Sequence, residues 1–422
     1  VDLLLKSPFV ICTDGFTKTG KSTINETLAF KLSQRGLKVK VLSSGQLYRA
    51  IAALVSWRHG TDPLIISALQ SDEIVALAKS CSLSLIDGIP KISSAGQCQE
   101  LTHDLLNSAE ISRLTPLIAA ENQSVRRYVE AIIRQEVEEF NGVVLLDGRD
   151  GAAVIRRFRA EGIDVAQQVN FFVSMTDEAI RERFSSRADD IIRRNLHDSI
   201  NTQPIADATR IDNSGPLVNT IMKIDAVIHR AMNELGIHQA PIIISGASGV
   251  GKNSVIVELL TLMPWLYLVP SYTTRPNNRP GSNKYIFVSE PEFHQLAASG
   301  RMIESGRSGS YWYGSVKLAR PERLLFEIEA RGASRVADYY DRSIRIKLTP
   351  LEGSANEQIE ELRRRLLADS GNPRNNIDER LQTARIELAA EADIIIANTR
   401  YSDEFDTKNG PRAAAIAIAM LV

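Results

Sequence analysis

Two stretches of similar design stand in this chain, GFTKTGKST from Gly15 to Thr23 and GASGVGKNS from Gly246 to Ser254. In the first, Gly15, Gly20, Lys21 and Ser22 satisfy the spacing G-x-x-x-x-G-K-[ST], with Thr23 next. Such residues at such spacing cradle phosphate. Successive backbone N–H groups wrap the anion, and glycines let it come close. The start of a following helix adds partial positive charge. Lys21 neutralises phosphate oxygens, and the Ser22 hydroxyl can ligate Mg²⁺. The second loop repeats the pattern with Gly246, Gly249, Gly251 and Lys252. Its metal position reads Asn253, whose amide oxygen is a weaker ligand, followed by Ser254. Motors, switches, transporters and kinases all use such loops for nucleoside triphosphates, so the acceptor side must decide the function.

Each loop must be held between a strand and a helix. SPFVICTD, LKVKVLS, GVVLLDG and VNFFVSM read as buried strands, being short, β-branched and bounded by Gly, Asp or Ser. KSTINETLAFKLSQRG reads as a helix closed by Gly36, and AENQSVRRYVEAIIRQEVEEF as a long helix with one apolar face. This alternation predicts parallel sheets covered by helices. The pattern restarts at APIIISGASGVGKNS, which predicts two domains, 1–236 and 241–422. Beyond the loops the halves do not repeat one another in sequence.

Arg49 and Arg149 stand just past two predicted strand ends, where α/β sheets bind ligands. Both suit a forked grip on an acceptor phosphate. Around them the N-terminal half resembles cytidylate kinase over residues 8–235. The resemblance is carried by D-G-x-x-x-x-G-K-S-T at the loop, S-G-x-x-Y-R from Ser44, the D-G-R-D tetrad Asp147–Asp150, R-x-x-x-D at Arg194 and Asp198, and I-D-N-S from Ile211. It implies ATP as donor, Mg²⁺, and CMP or dCMP as acceptor. It further implies that Ser44, Arg49 and Arg149 hold the acceptor and that Asp150 bonds the cytosine edge. Arg194 and Asp198 would contact the phosphates and the acceptor ribose, and Asp147 would meet the metal through water. Arg181 and Arg183 read equally as donor-phosphate contacts or a solvated helix face. Tyr48 reads as packing. Two positions depart from the family pattern: Leu101 precedes Thr102 where an Arg is usual, and Asn201 replaces a lid Arg.

The C-terminal half resembles guanylate kinase over 241–422. The resemblance lies in SYTTR from Ser271, the F-V-S strand, Glu304, Y-G-S from Tyr313, E-I-E followed by G-A, and R-L after the lid. It implies that Ser271, Arg275, Arg279, Tyr285 and Tyr313 hold the phosphate of GMP or dGMP. Glu304 and Ser315 would read guanine, whose N1–H and N2–H₂ donors suit an ionised carboxylate. Glu329 would sit near metal and acceptor, and Arg365 and Arg380 would neutralise the charge in transit. The departures are Asn253, a shortened segment between Gly281 and Tyr285, Glu327 and Glu329 in place of aspartates, and Asp369 where the lid usually has Arg, with Arg374 nearby. For this half a non-catalytic binding module and a ribose bisphosphate phosphokinase stay open beside a guanylate kinase. The expected fold is therefore α/β, with two P-loop nucleoside monophosphate kinase domains, each with a mobile lid.

The totals agree with a pair of metabolic enzymes. A net charge of −1 gives no global attraction to nucleic acid or an anionic membrane, so neither is expected as a partner. Three cysteines without metal-like spacing suit a reducing, cytoplasmic setting. VDLLLKSPFVIC is too weakly apolar for a signal peptide, and without Met the start is expected to be processed or incomplete.

Overall fold

The computed structural model describes residues 5–86, 89–94, 97–119, 122–199, 202–235, 240–276, 284–318, 324–340, 343–368, 377–399 and 410–422. The chain divides into two compact units, Val1–Ala231 and Met232–Val422, the division falling within helix Leu217–Glu234.

In the first unit a five-stranded sheet runs in the order Val39–Ser43, Val143–Gly148, Phe9–Gly15, Gln167–Ser174, Thr209–Asp212, all pairs parallel. Strand Phe9–Gly15 is buried along its whole length, which explains why FVICTDG reads as a continuous apolar run ending in polar residues. It sits at the centre, so the loop it feeds opens above the middle of the sheet. A core of Val10, Leu42, Leu47, Ile51, Val144, Leu146 and Ile155 packs one face. Beside it stands a small antiparallel sheet of Ser84–Ile86, Ile89–Ser94 and Gln97–Glu100.

The second unit repeats the topology. Its order is Tyr267–Leu268, Leu324–Glu327, Ile242–Gly246, Ile344–Thr349, Ile394–Ala397, again all parallel. The two halves thus share a strand order that their sequences do not advertise. A separate four-stranded sheet, Tyr285–Phe287, Ser271–Thr273, Tyr311–Val316 and Met302–Ser308, carries the expected acceptor residues. The periodicity arguments did not separate this mixed sheet from the parallel one, because its strands are short and half exposed. Among the described residues no helix is long and apolar enough to cross a membrane.

Helix Lys21–Gln34 is fixed from behind by a buried charge cluster. Arg35 Nη2 donates to both Asp225 oxygens at 2.9 and 3.1 Å, and Lys31 Nζ lies 3.6 Å from Asp225. Burial drives the Lys31 ammonium down to about 8, with Asp225 opposing. Removing Asp225 takes away the buried carboxylate that both cations share. Asp225→Ala is expected to destabilise the first unit by about 3–5 kcal/mol. Urea unfolding of the intact chain, followed by a probe in the first unit, measures this; a loss below about 1 kcal/mol, the level of an exposed pair, contradicts it.

Two candidate phosphoryl-transfer sites

The first site gathers at the C-terminal ends of the sheet strands. Its loop turns at Gly15 and Gly20, with φ of 148° and 89°. A Cβ on Gly15 would lie 2.1 Å from the Val173 carbonyl oxygen, and one on Gly20 would lie 2.4 Å from Asn213 Nδ2, so both positions demand glycine. Lys21 Nζ donates to the Phe16 carbonyl at 2.6 Å, folded back over the loop. Its burial lowers its pKa while Asp147 resists. Ser22 Oγ donates to Asp147 Oδ2 at 3.1 Å. Burial pushes the Asp147 carboxyl up, against Lys21, Ser22 and Arg49. A hydroxyl and a carboxylate side by side at a phosphate loop fit a hydrated Mg²⁺. Thr23 is exposed one residue on.

The acceptor side faces this loop. Ser44 Oγ donates to the Asp147 carbonyl at 3.3 Å, and Arg49 Nη1 donates to Asn107 Oδ1 at 2.7 Å. Arg149 Nη1 pairs with Asp198 Oδ1 at 2.9 Å while its Nη2 donates to Thr17 Oγ1 at 3.1 Å. Asn195 Nδ2 donates to the Thr17 carbonyl at 3.2 Å, so helix Ala188–Asp198 is tied to the loop. Lys18, at φ 60°, has its ammonium destabilised by burial and by Arg49, Arg187 and Arg194. Arg49 is likewise disfavoured by burial and by Arg194 and Arg149. Cations this crowded hold one another at a cost that an anion would relieve. Among the described residues, buried Asp198 Oδ2 and Asn195 Oδ1 have no hydrogen-bond partner. Asp150 opens helix Gly151–Ala160 and lines a cleft with Ser44, Tyr48, Glu130 and Val154. Tyr48 therefore packs on the core and also walls this cleft. Arg183 donates to the Ser214 and Gly215 carbonyls at 3.0 and 2.8 Å, and Arg181 lies 3.7 Å from Asp189.

In the second site Gly246, Gly249 and Gly251 again have positive φ, and Lys252 Nζ bonds the Gly246 carbonyl and, at 3.4 Å, that of Ala247. Arg380 reaches the loop, its Nη2 donating to Ser248 Oγ at 2.8 Å. Asn253 and Ser254 are exposed on the first helical turn. Lys284 Nζ bonds Asn253 Oδ1 and pairs with the Glu327 carboxylate. A lysine between the amide and the acid means that these two residues do not fit Mg²⁺ as Ser22 and Asp147 do. Among the described residues no group of three or more His, Cys, Asp or Glu is placed to hold a metal.

The second acceptor sheet aligns its residues by register. Ser271 faces Tyr285, Thr273 faces Tyr313, and Glu304 faces Ser315. The Tyr285 and Tyr313 rings lie 6.3 Å apart, and the Arg275 guanidinium lies 4.9 Å from the Tyr285 ring, its buried Nε without a hydrogen-bond partner among the described residues. Burial raises the Glu304 carboxyl, while hydrogen bonds from Ser315 and the charge of Arg335 hold it down. A Cβ on Gly332 would lie 3.1 Å from Glu304 Oε2, so this glycine lets the carboxylate approach the helix start. Glu329 opens that helix, close enough to Lys252 and Glu304 to act on their charge. Arg279, Asp369, Arg374 and Asn201 lie outside the described residues.

Arg365 does not join this group. Its side chain is 3% exposed, and Nη2 donates to the Pro350 and Asn398 carbonyls at 2.7 and 2.9 Å while Nε bonds Glu361 at 2.7 Å. The sequence expects it to neutralise charge in transit; its guanidinium here is bound to backbone carbonyls beneath the loop.

Residues 11–161 match the family model for cytidylate kinase, and residues 238–406 match the model for guanylate kinase. A guanylate kinase from Streptomyces kasugaensis is 35% identical over 172 residues, covering 38% of this chain and 80% of that protein.

The chain belongs to the guanylate kinase family.

A guanylate kinase from Thermobifida fusca (strain YX) is 35% identical over 175 residues, covering 39% of this chain and 86% of its own. A solved guanylate kinase from Anaplasma phagocytophilum aligns with 43% of this chain and 82% of its own at 22% identity and a TM-score of 0.31; the assignment rests on the sequence matches. With a cytidylate kinase domain in its first half as well, the chain is a nucleoside monophosphate kinase. Both families use ATP as phosphate donor, generally with Mg²⁺. The first match ends at residue 161, so Arg194 and Asp198 rest on motif and geometry.

Several residues of this kinase escaped the sequence arguments. Asn213 and Asn398, each just past the last parallel strand, donate to the loop carbonyls of Thr19 and Val250 at 2.9 and 2.7 Å. Their shared position before Ser or Thr was the available signal. Glu387, buried, accepts from the Ala330 N–H at 3.0 Å beneath Lys252. Asp14 does the same in the first unit, accepting from Gly151 and Ala152 N–H at 2.8 and 2.9 Å.

Burial raises the Asp14 carboxyl to about 6, with those two N–H groups resisting. A carboxyl raised on folding contributes stability that is fully present below its unfolded value of 3.8 and is lost as pH rises through about 6. Asp14→Asn removes this dependence. Between about pH 4 and 7 the wild type should therefore lose on the order of 2–3 kcal/mol relative to the variant. Urea melts of both chains across that range measure it; a difference that stays flat with pH contradicts the assignment.

Proposed function

We propose that the chain carries two monophosphate kinases, a CMP/dCMP kinase in 1–236 and a GMP/dGMP kinase in 241–422, both drawing on ATP. The observation that carries the reading is that each phosphate loop has beside it a cleft or sheet with a carboxylate of its own, which would read the base. Asp150 stands in the Ser44–Tyr48 cleft, and Glu304 stands against Ser315.

Phosphoryl transfer between two nucleotides needs charge neutralised on both anions, in-line placement and exclusion of water. In the first unit Lys21 would leave the Phe16 carbonyl for the donor phosphates. Arg49 and Arg149 would exchange Asn107 and Asp198 for the acceptor phosphate. Asp198 would then accept from the ribose hydroxyls, which supplies its open oxygen with a partner. Arg194, beside Lys18, would neutralise charge passing between the anions. Ser22 and, through water, Asp147 would hold Mg²⁺, which neutralises the triphosphate oxygens. In the second unit Ser271, Arg275, Tyr285 and Tyr313 would hold the GMP phosphate, with Arg279 expected to join them. Lys252 and Arg380 would hold the donor, and Glu329 would sit near the acceptor. The relatives named guanylate kinase support this half.

Asn253, held by Lys284, favours one other reading of the second unit, a module that binds GMP without turning it over. A coupled ADP-release assay on the intact chain with CMP, dCMP, UMP, GMP and dGMP separates the two. Release with both cytidine and guanosine acceptors supports two kinases. Release with cytidine alone, together with tight GMP binding, supports the module. Release with neither rejects the proposal.

A further inference from the structure

Taking the second loop as a nucleotide site, as proposed above, we infer that Lys284 stands in for the divalent cation there: its ammonium bridges Asn253 and Glu327, the positions that in the first unit are Ser22 and Asp147.

The two units of one chain form an internal comparison. In each, the residue after the loop lysine faces an acid on the strand that pairs with the loop strand. Val143–Gly148 pairs with Phe9–Gly15, and Leu324–Glu327 pairs with Ile242–Gly246. In the first unit hydroxyl and carboxylate bond directly at 3.1 Å. In the second a lysine lies between amide and carboxylate, its side chain 20% exposed and that of Glu327 10% exposed.

The substitutions agree with one another chemically. A serine hydroxyl is a ligand for a hard cation, whereas an asparagine carbonyl is a good acceptor for an ammonium. A largely buried ammonium on the Asn253 amide oxygen opposes a second cation at contact distance. Lys284 is also anchored on the acceptor side. Its carbonyl accepts from the Ser271 N–H at 3.0 Å, and its ammonium lies 5.3 Å from the Tyr285 ring. It thus reaches from the acceptor sheet to the donor loop, neutralising charge and tying the two together. With Lys252 and Arg380, it puts cations of the second site's own around the loop. A metal carried in by a nucleotide then receives no ligand from position 253 or 327.

The test is calorimetric titration of ADP into the full-length chain, with Mg²⁺ or with EDTA. Lys21→Ala silences the first site so that the second is read, and Lys252→Ala does the converse. At the second site, removing Mg²⁺ should change the ADP affinity by less than about twofold, whereas the first site should lose about tenfold or more. Lys284→Met should weaken metal-free ADP binding at the second site by about tenfold, the worth of one charge-assisted contact, and Lys284→Arg should restore most of it. Restoration by Arg also excludes misfolding as the cause. The inference is overturned if EDTA weakens both sites equally, or if Lys284→Met leaves metal-free affinity unchanged. If no ADP binds the second site under either condition while its thermal melt is intact, the nucleotide reading of that unit fails, and this inference with it.

Discussion

Lys21→Met is expected to lower CMP phosphorylation about 10³-fold while GMP phosphorylation stays within about twofold, and Lys252→Met to do the reverse. Each lysine is drawn over its own loop, Lys21 onto the Phe16 carbonyl and Lys252 onto those of Gly246 and Ala247. Each is part-buried, and desolvation works against its charge while a nearby acid favours it, Asp147 for Lys21 and Glu327 for Lys252. A cation held in a water-excluded site gains most where charge develops during transfer, so its loss falls on kcat more than on KM. Arginine should not rescue either position, because a planar fork does not fit a loop shaped for a point charge. Steady-state rates with each monophosphate on the two variants decide the matter. Loss of both activities from one substitution would mean a single shared site, contrary to the proposal.

Glu304→Gln is expected to lower kcat/KM for GMP by about 10²–10³-fold and to leave CMP turnover unchanged. Guanine offers donors on the edge that Glu304 would face. The carboxylate accepts from Ser315, sits across the strand pair from it, and approaches a helix start over Gly332. A glutamine amide would turn a donor toward those donors and leave one of them unpaired in a desolvated place. The same variant separates a guanine nucleotide from a sugar phosphate as substrate, since the latter has no base to lose contact with. A ribose bisphosphate turned over equally by wild type and variant, with no GMP turnover by either, would count against the guanine reading.

The parts legible in the sequence are those where local chemistry dictates residue type. A loop that approaches phosphate must have glycines at fixed places, and a strand buried on both faces must be apolar, so the loops and the strands beside them could be read directly. Arg49 and Arg149 could be singled out because they follow strand ends, where α/β sheets bind ligands, whereas Glu304 and Ser315, paired within the acceptor sheet, were reached only through the resemblance to guanylate kinase. What the sequence hid is contact over distance. Arg365 reads as one more cation in LRRRLL, yet its carbonyl partners Pro350 and Asn398 come from separate segments and bury it. Lys284 carries no signal of its own within the shortened segment, and its contact with Asn253 and Glu327 emerges only in the folded unit. The buried Asp225 likewise looks like an ordinary helix-surface acid until Lys31 and Arg35 are seen around it. The common strand order of the two units was invisible for a related reason, since topology is set by long-range pairing and the pairing partners here share no sequence.

The central claim is that this one chain grips two separate pairs of anionic nucleotides, end to end. Calorimetric titration with two bisubstrate analogues, adenosine joined through a phosphate chain to cytidine or to guanosine, addresses it directly. The account predicts one equivalent of each bound per chain, the cytidine analogue lost in Lys21→Met and the guanosine analogue lost in Lys252→Met. Failure of either analogue to bind the intact chain, or binding that survives its own lysine substitution unchanged, would contradict it.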